Sequence, residues 1–113
     1  MRILNRTQNI VLAEGAREAK TWREKARGLL GEREAHPILI RTRWGIHTVG
    51  MRFPIDVVIM DARHCVRVLR SNLKPGSFFF WNPRYMMVLE LPLGMIRATK
   101  ISLGDILEIG DSV

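Results

Sequence analysis

The chain has 113 residues, of which 47% are hydrophobic and 26% are charged, and its formal net charge is +7. This length predicts one domain, residues 1–113, and excludes two domains of ordinary size. No run approaches the roughly 18 consecutive apolar residues of a transmembrane helix, so we expect a water-soluble protein.

The N-terminal segment, residues 1–15, mixes charged and amide side chains with its apolar residues. It has neither the uninterrupted apolar run nor the small-residue cleavage site of a secretory signal. The single Cys65 cannot form an intramolecular disulfide, so nothing requires an oxidising compartment. We therefore predict a cytoplasmic protein.

One helix is predicted after residue 20. Thr21 and Glu24 form a capping box, in which each side chain accepts a hydrogen bond from the backbone N–H of the other residue. The helix should begin at Trp22, bury one apolar face, and end at Gly31 in the left-handed conformation.

The rest of the chain has apolar stretches of strand length separated by Gly, Pro, Asn and Asp. The predicted strands are Arg2–Asn5, Ile10–Ala13, Pro37–Arg41, Asp56–Met60, Cys65–Arg70, Met86–Leu91 and Asp105–Ile109. The fourth is apolar without alternation, which predicts a central strand that is covered on both faces. Four residues separate it from the fifth, a length that suits an antiparallel hairpin. Cys65 at the start of that fifth strand is expected to be an inert small hydrophobic residue.

Four consecutive aromatic residues, Phe78 to Trp81, lie between turn-forming segments. They could stack on bases or sugars, but in so small a chain an aromatic run favours a role in the core. We expect them to fill one end of a small barrel.

The positive charge is concentrated in residues 35–89, which hold eight Lys and Arg against two Asp and Glu. Most of these bases are single arginines spaced along predicted strands, which favours a solvated sheet face. Nucleic-acid binding is the alternative. It requires the arginines on one face with exposed aromatic side chains among them.

Several motifs follow one another along the chain: RGLLG at the helix end, then GIHTVGMRFPIDVVIMD, then VLELPLGMI, then LGDILEI. This order resembles the domain-of-unknown-function family 192, a group of small uncharacterised bacterial and archaeal proteins. The resemblance extends from about residue 19 to residue 109. It implies an α+β, mostly β, compact barrel-like domain with an antiparallel or mixed sheet and one packed helix, and it implies no established reaction.

The sequence departs from the family pattern at one place. Many members carry Trp-Met-Lys-Asn-Thr before the P-x-D motif, where this chain has residues 47–51, His-Thr-Val-Gly-Met. No role of that lysine or asparagine can be transferred. The matching residues are Pro54, Asp56, Leu89, Glu90, Pro92, Gly94, Gly104 and Asp105.

His47 is the only plausible general base near the P-x-D motif, and Asp56 or Glu90 could orient it, which would suit a small hydrolase or a metal-dependent enzyme. No serine lies in a nucleophile elbow. The sequence contains no metal-binding motif and no phosphate-binding glycine pattern, so we predict no metal and no cofactor.

Asp56 and Glu90 also have structural interpretations, as an acceptor for backbone N–H groups and as a partner of Arg52. The coincidence of polar residues beside apolar strands nevertheless favours a ligand site, since convergent polar groups in a concavity are typical of one. The predicted ligand-binding residues are His47, Thr48, Arg52, Asp56 and Glu90. The preferred hypothesis is a binding or accessory domain, a monomer or weak homo-oligomer, with an unknown small-molecule or protein partner.

Overall fold

The structure is a computed structural model, and it describes residues 1–20, 29, 32–43 and 45–110. The predicted helix and its capping box lie outside the described residues. None of the helices in the described ranges is long and apolar enough to cross a membrane. The described elements are β1 (Arg2–Asn5), β2 (Ile10–Ala13), β3 (Arg17–Ala19), β4 (Ile38–Arg41), β5 (Gly45–His47), β6 (Ile55–Met60), β7 (Val66–Leu73), β8 (Phe78–Phe80), β9 (Met87–Pro92), α1 (Met95–Thr99) and β10 (Leu107–Gly110).

The strands form three sheets within the described residues. The largest has the order β3-β4-β9-β6-β7, in which β3 and β4 are parallel and the other neighbours are antiparallel. A second sheet has the order β10-β1-β2, and β5 pairs with β8 in a two-stranded ribbon. The predicted mostly β fold with a mixed sheet is confirmed, and the description as barrel-like holds only loosely because the sheets do not close.

The five-stranded sheet is covered on both faces. One buried cluster joins it to the sheet β10-β1-β2, and a second cluster, on the opposite face, includes inward side chains of the ribbon. Side chains of β6 alternate between the two clusters, and every residue of that strand is buried. The prediction of a central strand covered on both faces is therefore confirmed, and its cause is the period-2 alternation of a strand between two apolar layers.

The predicted hairpin between β6 and β7 is also confirmed. The Asp61 carboxylate organises its turn, because Oδ1 accepts hydrogen bonds from the backbone N–H groups of Arg63 (2.9 Å) and Cys65 (3.0 Å). Its Oδ2 atom accepts a third from Arg67 Nε at 2.9 Å. Cys65 itself precedes β7 and forms an isolated bridge with Ile106.

Four described elements were absent from the sequence prediction. Three are three-residue strands, β3, β5 and β8, which are too short to show a hydrophobic period. The fourth is α1, a five-residue helix whose N-cap, Gly94, has no side chain to cap it. These elements are held by contacts from distant parts of the chain, so local sequence does not reveal them.

Candidate functional site

Asp56 is buried in β6, with 1% of its surface exposed, and its carboxylate accepts three backbone hydrogen bonds. Oδ1 accepts from Asn72 N (3.0 Å), and Oδ2 accepts from Gly94 N (3.1 Å) and Ile96 N (2.9 Å). Asn72 has a positive φ of 53°, and the other two donors lie at the start of α1. Asp56 thus fixes an irregular residue of β7 and supplies the acceptor that the N-terminus of α1 lacks locally.

Thr48 follows β5 and is fully buried, and it connects the end of β5 to the turn before β8. Its hydroxyl donates to the carbonyl of Lys74 (2.6 Å) and accepts from Ser77 N (2.9 Å). Its backbone N–H donates to the Ser77 carbonyl at 2.8 Å. Thr48 therefore positions the segments on either side of it, and its hydroxyl has both hydrogen-bonding capacities in use.

Thr48→Val keeps the shape of the side chain but removes the buried hydroxyl that pairs with the Lys74 carbonyl and the Ser77 N–H. We expect the free energy of unfolding to fall by about 2 kcal/mol, as for other buried polar groups that lose a partner. Urea denaturation measures the loss. Thr42→Val is the matched control, since that hydroxyl makes only a 3.4 Å contact to Arg43 O. Equal losses in the two variants would contradict this assignment.

Glu90 lies in β9 with 4% of its surface exposed, and its Oε1 atom has no hydrogen-bond partner among the described residues. Its strand neighbours are Ile38 on β4 and Val57 on β6. Burial in these apolar surroundings raises the pKa of Glu90 to about 7, because the charged form loses its hydration. The suggested pairing with Arg52 or another cationic group is not found among the described residues, where Glu90 forms no ion pair and Arg52 is exposed.

Asp56 and Glu90 project from opposite faces of the five-stranded sheet. Glu90 is paired with Val57, whose side chain belongs to the cluster on the ribbon side, and Asp56 is paired with Leu91, which belongs to the other cluster. Residues directly opposite each other in a sheet share a face. The five predicted ligand-binding residues therefore do not line one pocket.

His47 is exposed at the end of β5 and lies opposite Phe78 in the ribbon. The centroids of their rings are 6.2 Å apart with an angle of 45° between the planes. The next outward side chain of β8 is Phe80, whose ring is nearly parallel to that of Phe78, at 10°, with the centroids 6.5 Å apart. We call the outward surface formed by His47, Phe78 and Phe80 the ribbon face.

The exposure of the ribbon face corrects the expectation for the aromatic run. Phe78 and Phe80 are 65% and 70% exposed, whereas Trp81 is buried and Phe79 packs against the cluster on the ribbon side. Only these last two fill the core, because successive side chains of a strand point to opposite faces. Because of this alternation, an aromatic run in a strand places rings on both faces. The sequence-based expectation placed the whole run in the core because the chain is small.

Gly45 allows Phe80 to lie close to the ribbon backbone. A Cβ atom at position 45 would stand 2.5 Å from Phe80 Cδ1 and 2.6 Å from the carbonyl oxygen of Phe79. Any larger residue would displace the ring or the paired strand. The absence of a side chain at Gly45 therefore allows the exposed ring of Phe80 to lie in this position.

The basic residues of the middle segment, residues 35–89, have few acids to balance them. Arg41 pairs with Glu18, and Arg67 pairs with Asp61. The other basic residues of segment 35–89 have no ion pair with any described residue, and all are exposed. These are Arg43, Arg52, Arg63, Arg70, Lys74 and Arg84.

Three of these cations are tied to the ends of the ribbon. The carbonyl of Arg43 accepts from Gly45 N at 2.9 Å, at the Phe80 end. The carbonyl of Lys74 accepts from the Thr48 hydroxyl, and Arg52 follows Met51, whose N–H donates to the Thr48 carbonyl at 3.1 Å. Arg52 and Lys74 are thus at the His47 end, so basic residues follow the backbone at both ends of the ribbon.

The catalytic hypothesis required His47 to be hydrogen-bonded to a carboxylate. In the described ranges, the Asp56 carboxylate is occupied by backbone donors, and neither it nor Glu90 is hydrogen-bonded to His47. No cluster of three or more His, Cys, Asp or Glu suited to a metal ion is found in that part of the chain. The arrangement around His47 is that of a surface that can stack and attract anions.

Comparison with protein families decides the relationship of this chain. The model of DUF192, with the description "Uncharacterized ACR", matches residues 4–109. The chain belongs to the DUF192 family. This confirms the resemblance predicted from the motifs, over nearly the whole sequence. The description of the DUF192 family names no reaction and no ligand.

Two solved structures share this DUF192 fold. One is a protein of unknown function from Novosphingobium aromaticivorans DSM 12444, with a TM-score of 0.81, 18% identity, and coverage of 96% of this chain and 82% of that chain. The other is a candidate transcription regulator from Sinorhizobium meliloti 1021, with a TM-score of 0.76, 22% identity, and coverage of 95% and 89%. No curated protein matches the chain. At these identities the similarity establishes the fold alone.

Proposed function

We propose that this protein is a binding domain whose ribbon face docks an anionic ligand that carries flat aromatic groups. The observation that carries the proposal is the exposure of two nearly parallel phenylalanine rings, Phe78 and Phe80, at 65% and 70%. Contiguous exposed apolar surface is unfavourable in water, and it is typical of binding sites.

The ribbon face is presented by a well-packed support. Thr48 fixes one end of the ribbon through its buried hydroxyl, and Phe79 and Trp81 anchor β8 from below. The backbone that carries Phe78 and Phe80 is therefore already ordered before a ligand stacks on the rings, which favours affinity. His47 adds a third ring at the edge, and it can also donate a hydrogen bond to an anion.

The predicted site residues have different roles in this proposal. His47 contacts the ligand, and Arg52 supplies positive charge beside it. Thr48 holds the backbone at the His47 end of the ribbon, Asp56 holds that of β7 and α1, and Glu90 is buried in the five-stranded sheet. The proposal retains the cytoplasmic location and the monomeric or weakly oligomeric state that the sequence predicts.

The test uses 8-anilinonaphthalene-1-sulfonate, an aromatic anion, as the probe in a titration of the folded protein followed by amide NMR. We expect the largest shift changes in residues 45–49 and 77–80, because the rings of the probe stack there and its sulfonate faces the flanking cations. The double variant Phe78→Ser/Phe80→Ser should lose these changes. Both side chains are exposed, so this variant should keep its fold.

Leu103→Ser is the matched control, because Leu103 is also 65% exposed but lies in the turn before β10. This variant should bind the probe as the unchanged protein does. Shift changes confined to residues outside the ribbon, or binding that survives in the double variant, would contradict the proposal.

A further inference from the structure

We infer that the ligand of the ribbon face is single-stranded nucleic acid. This inference rests on the proposed function and adds a ligand class to it. It follows from two independent properties of the same surface, the orientation of its rings and the distribution of charge around it.

The first property is the row of rings on the ribbon face. His47, Phe78 and Phe80 follow one another at centroid distances of 6.2 Å and 6.5 Å. Proteins that bind single strands use such aromatic side chains as platforms on which successive bases stack, without reading the sequence. Outward side chains of one strand repeat every second residue, so the rings of Phe78 and Phe80 are aligned along β8 and give a linear ligand a direction, while His47 lies beside Phe78 on the paired strand β5.

The second property is the excess of unpaired positive charge. In residues 35–89 the acids are Asp56, which is buried, and Asp61, which pairs with Arg67. The exposed charges of this segment that lack an ion pair with any described residue are therefore all positive, with Arg43 at one end of the ribbon and Lys74 and Arg52 at the other. A chain of phosphates that follows the row of rings would meet positive charge at both ends.

A single strand fits the ribbon face better than a duplex does. In a duplex the faces of the bases are already stacked on one another, so the exposed phenylalanine rings would find no free base face on which to stack. Unpaired bases offer both ring faces, and their backbone carries one negative charge for each nucleotide. A membrane surface would also attract cations and aromatic rings, and the experiment includes it as a competing outcome.

The binding experiment measures fluorescence anisotropy of labelled oligonucleotides of about 10 residues, a length within the site size of a small single-strand-binding fold. The probes are single-stranded DNA, single-stranded RNA of the same sequence, and the corresponding DNA duplex. We expect the single strands to bind at least tenfold more tightly than the duplex. Increasing salt should weaken binding with a logarithmic slope of about −0.7 for each phosphate contacted. Equal affinity for DNA and RNA would mean that the 2′-hydroxyl is not contacted, and a preference would identify the natural polymer.

Two sets of variants separate stacking from charge. Removing a stacking ring should weaken binding by tenfold or more and leave the salt slope unchanged, which Phe78→Ser and Phe80→Ser test one at a time. Arg43→Gln and Lys74→Gln should each reduce the salt slope by about 0.7. The controls are Leu103→Ser for an exposed apolar residue and Arg97→Gln for an exposed arginine on α1.

Equal affinity for duplex and single strand, with no effect of the phenylalanine variants, would overturn the inference. Binding to phosphatidylserine vesicles that requires Phe78 and Phe80, without binding to oligonucleotides, would also overturn it and assign a lipid surface. If the aromatic anion still binds the ribbon face while oligonucleotides do not, this inference fails and the proposed function stands.

Discussion

Asp56→Ala should lower the free energy of unfolding by about 4 kcal/mol, the largest loss that we expect from any single substitution discussed above. The change removes the buried carboxylate that accepts hydrogen bonds from three backbone N–H groups, those of Asn72, Gly94 and Ile96. Hydrogen bonds to a charged group contribute more than neutral ones, and three of them are lost at once. Denaturant titration, monitored by circular dichroism, measures the change.

Asp56→Asn should cost less than the alanine variant, because one oxygen remains in place to accept hydrogen bonds. Asp61→Ala is an informative comparison, since the Asp61 carboxylate also accepts three hydrogen bonds but lies in the turn of an exposed hairpin. It should cost less than Asp56→Ala, because water can replace the lost partners. An Asp56→Asn protein that is more stable than the unchanged protein would show that the carboxylate is held against repulsion, as in a metal site, and would refute its assignment as a backbone acceptor.

Glu90 should make the protein less stable as the pH rises toward neutrality. Its pKa is raised from 4.5 to about 7 in the folded state, so the folded protein holds this proton more tightly than the unfolded chain does. The stabilisation by the protonated group is fully present below the unfolded pKa and is lost as the pH rises through the folded one. The loss attributable to Glu90 should reach about 3 kcal/mol by pH 8.

Glu90→Gln isolates this contribution, because the amide keeps the shape of the protonated acid and does not titrate. We expect the difference in free energy of unfolding between Glu90→Gln and the unchanged protein to shift by about 3 kcal/mol in favour of the variant between pH 4 and pH 8. Glu108→Gln, on the exposed side of β10, controls for removing a carboxylate from a strand. A difference that is constant with pH would contradict the assignment.

The sequence predicted several strands of this fold well, because their signals are local. Strands Arg2–Asn5 and Ile10–Ala13 have the predicted bounds, and β6 was recognised as central from its unbroken apolar run. The helix α1 was missed because the acceptor for its first N–H groups is Asp56, about 40 residues away in the sequence. A helix that is specified by a tertiary contact leaves no capping signal in its own segment.

The candidate site was predicted only in part, for reasons of strand register. Asp56 and Glu90 belong to neighbouring strands, and whether they share a face depends on which residue of β6 lies opposite Glu90. The observed partner is Val57, and a shift of one residue would have brought the two carboxylates together. Periodicity within one strand does not contain that information. His47 is exposed, and its aromatic neighbours come from β8, a strand that the sequence did not show.

The position of β7 has a consequence for self-association. This strand is at one edge of the five-stranded sheet, where its outer backbone groups form a template for another copy of the chain. Two irregularities in its pairing with β6 and the exposed side chains of Arg67 and Arg70 interrupt that template. Bulges and charges on an edge strand are the means by which native sheets resist aggregation. The arginines of β7 thus help to prevent self-association through this edge. Their exposure requires no ligand, in contrast to the proposed role of the basic residues at the ends of the ribbon.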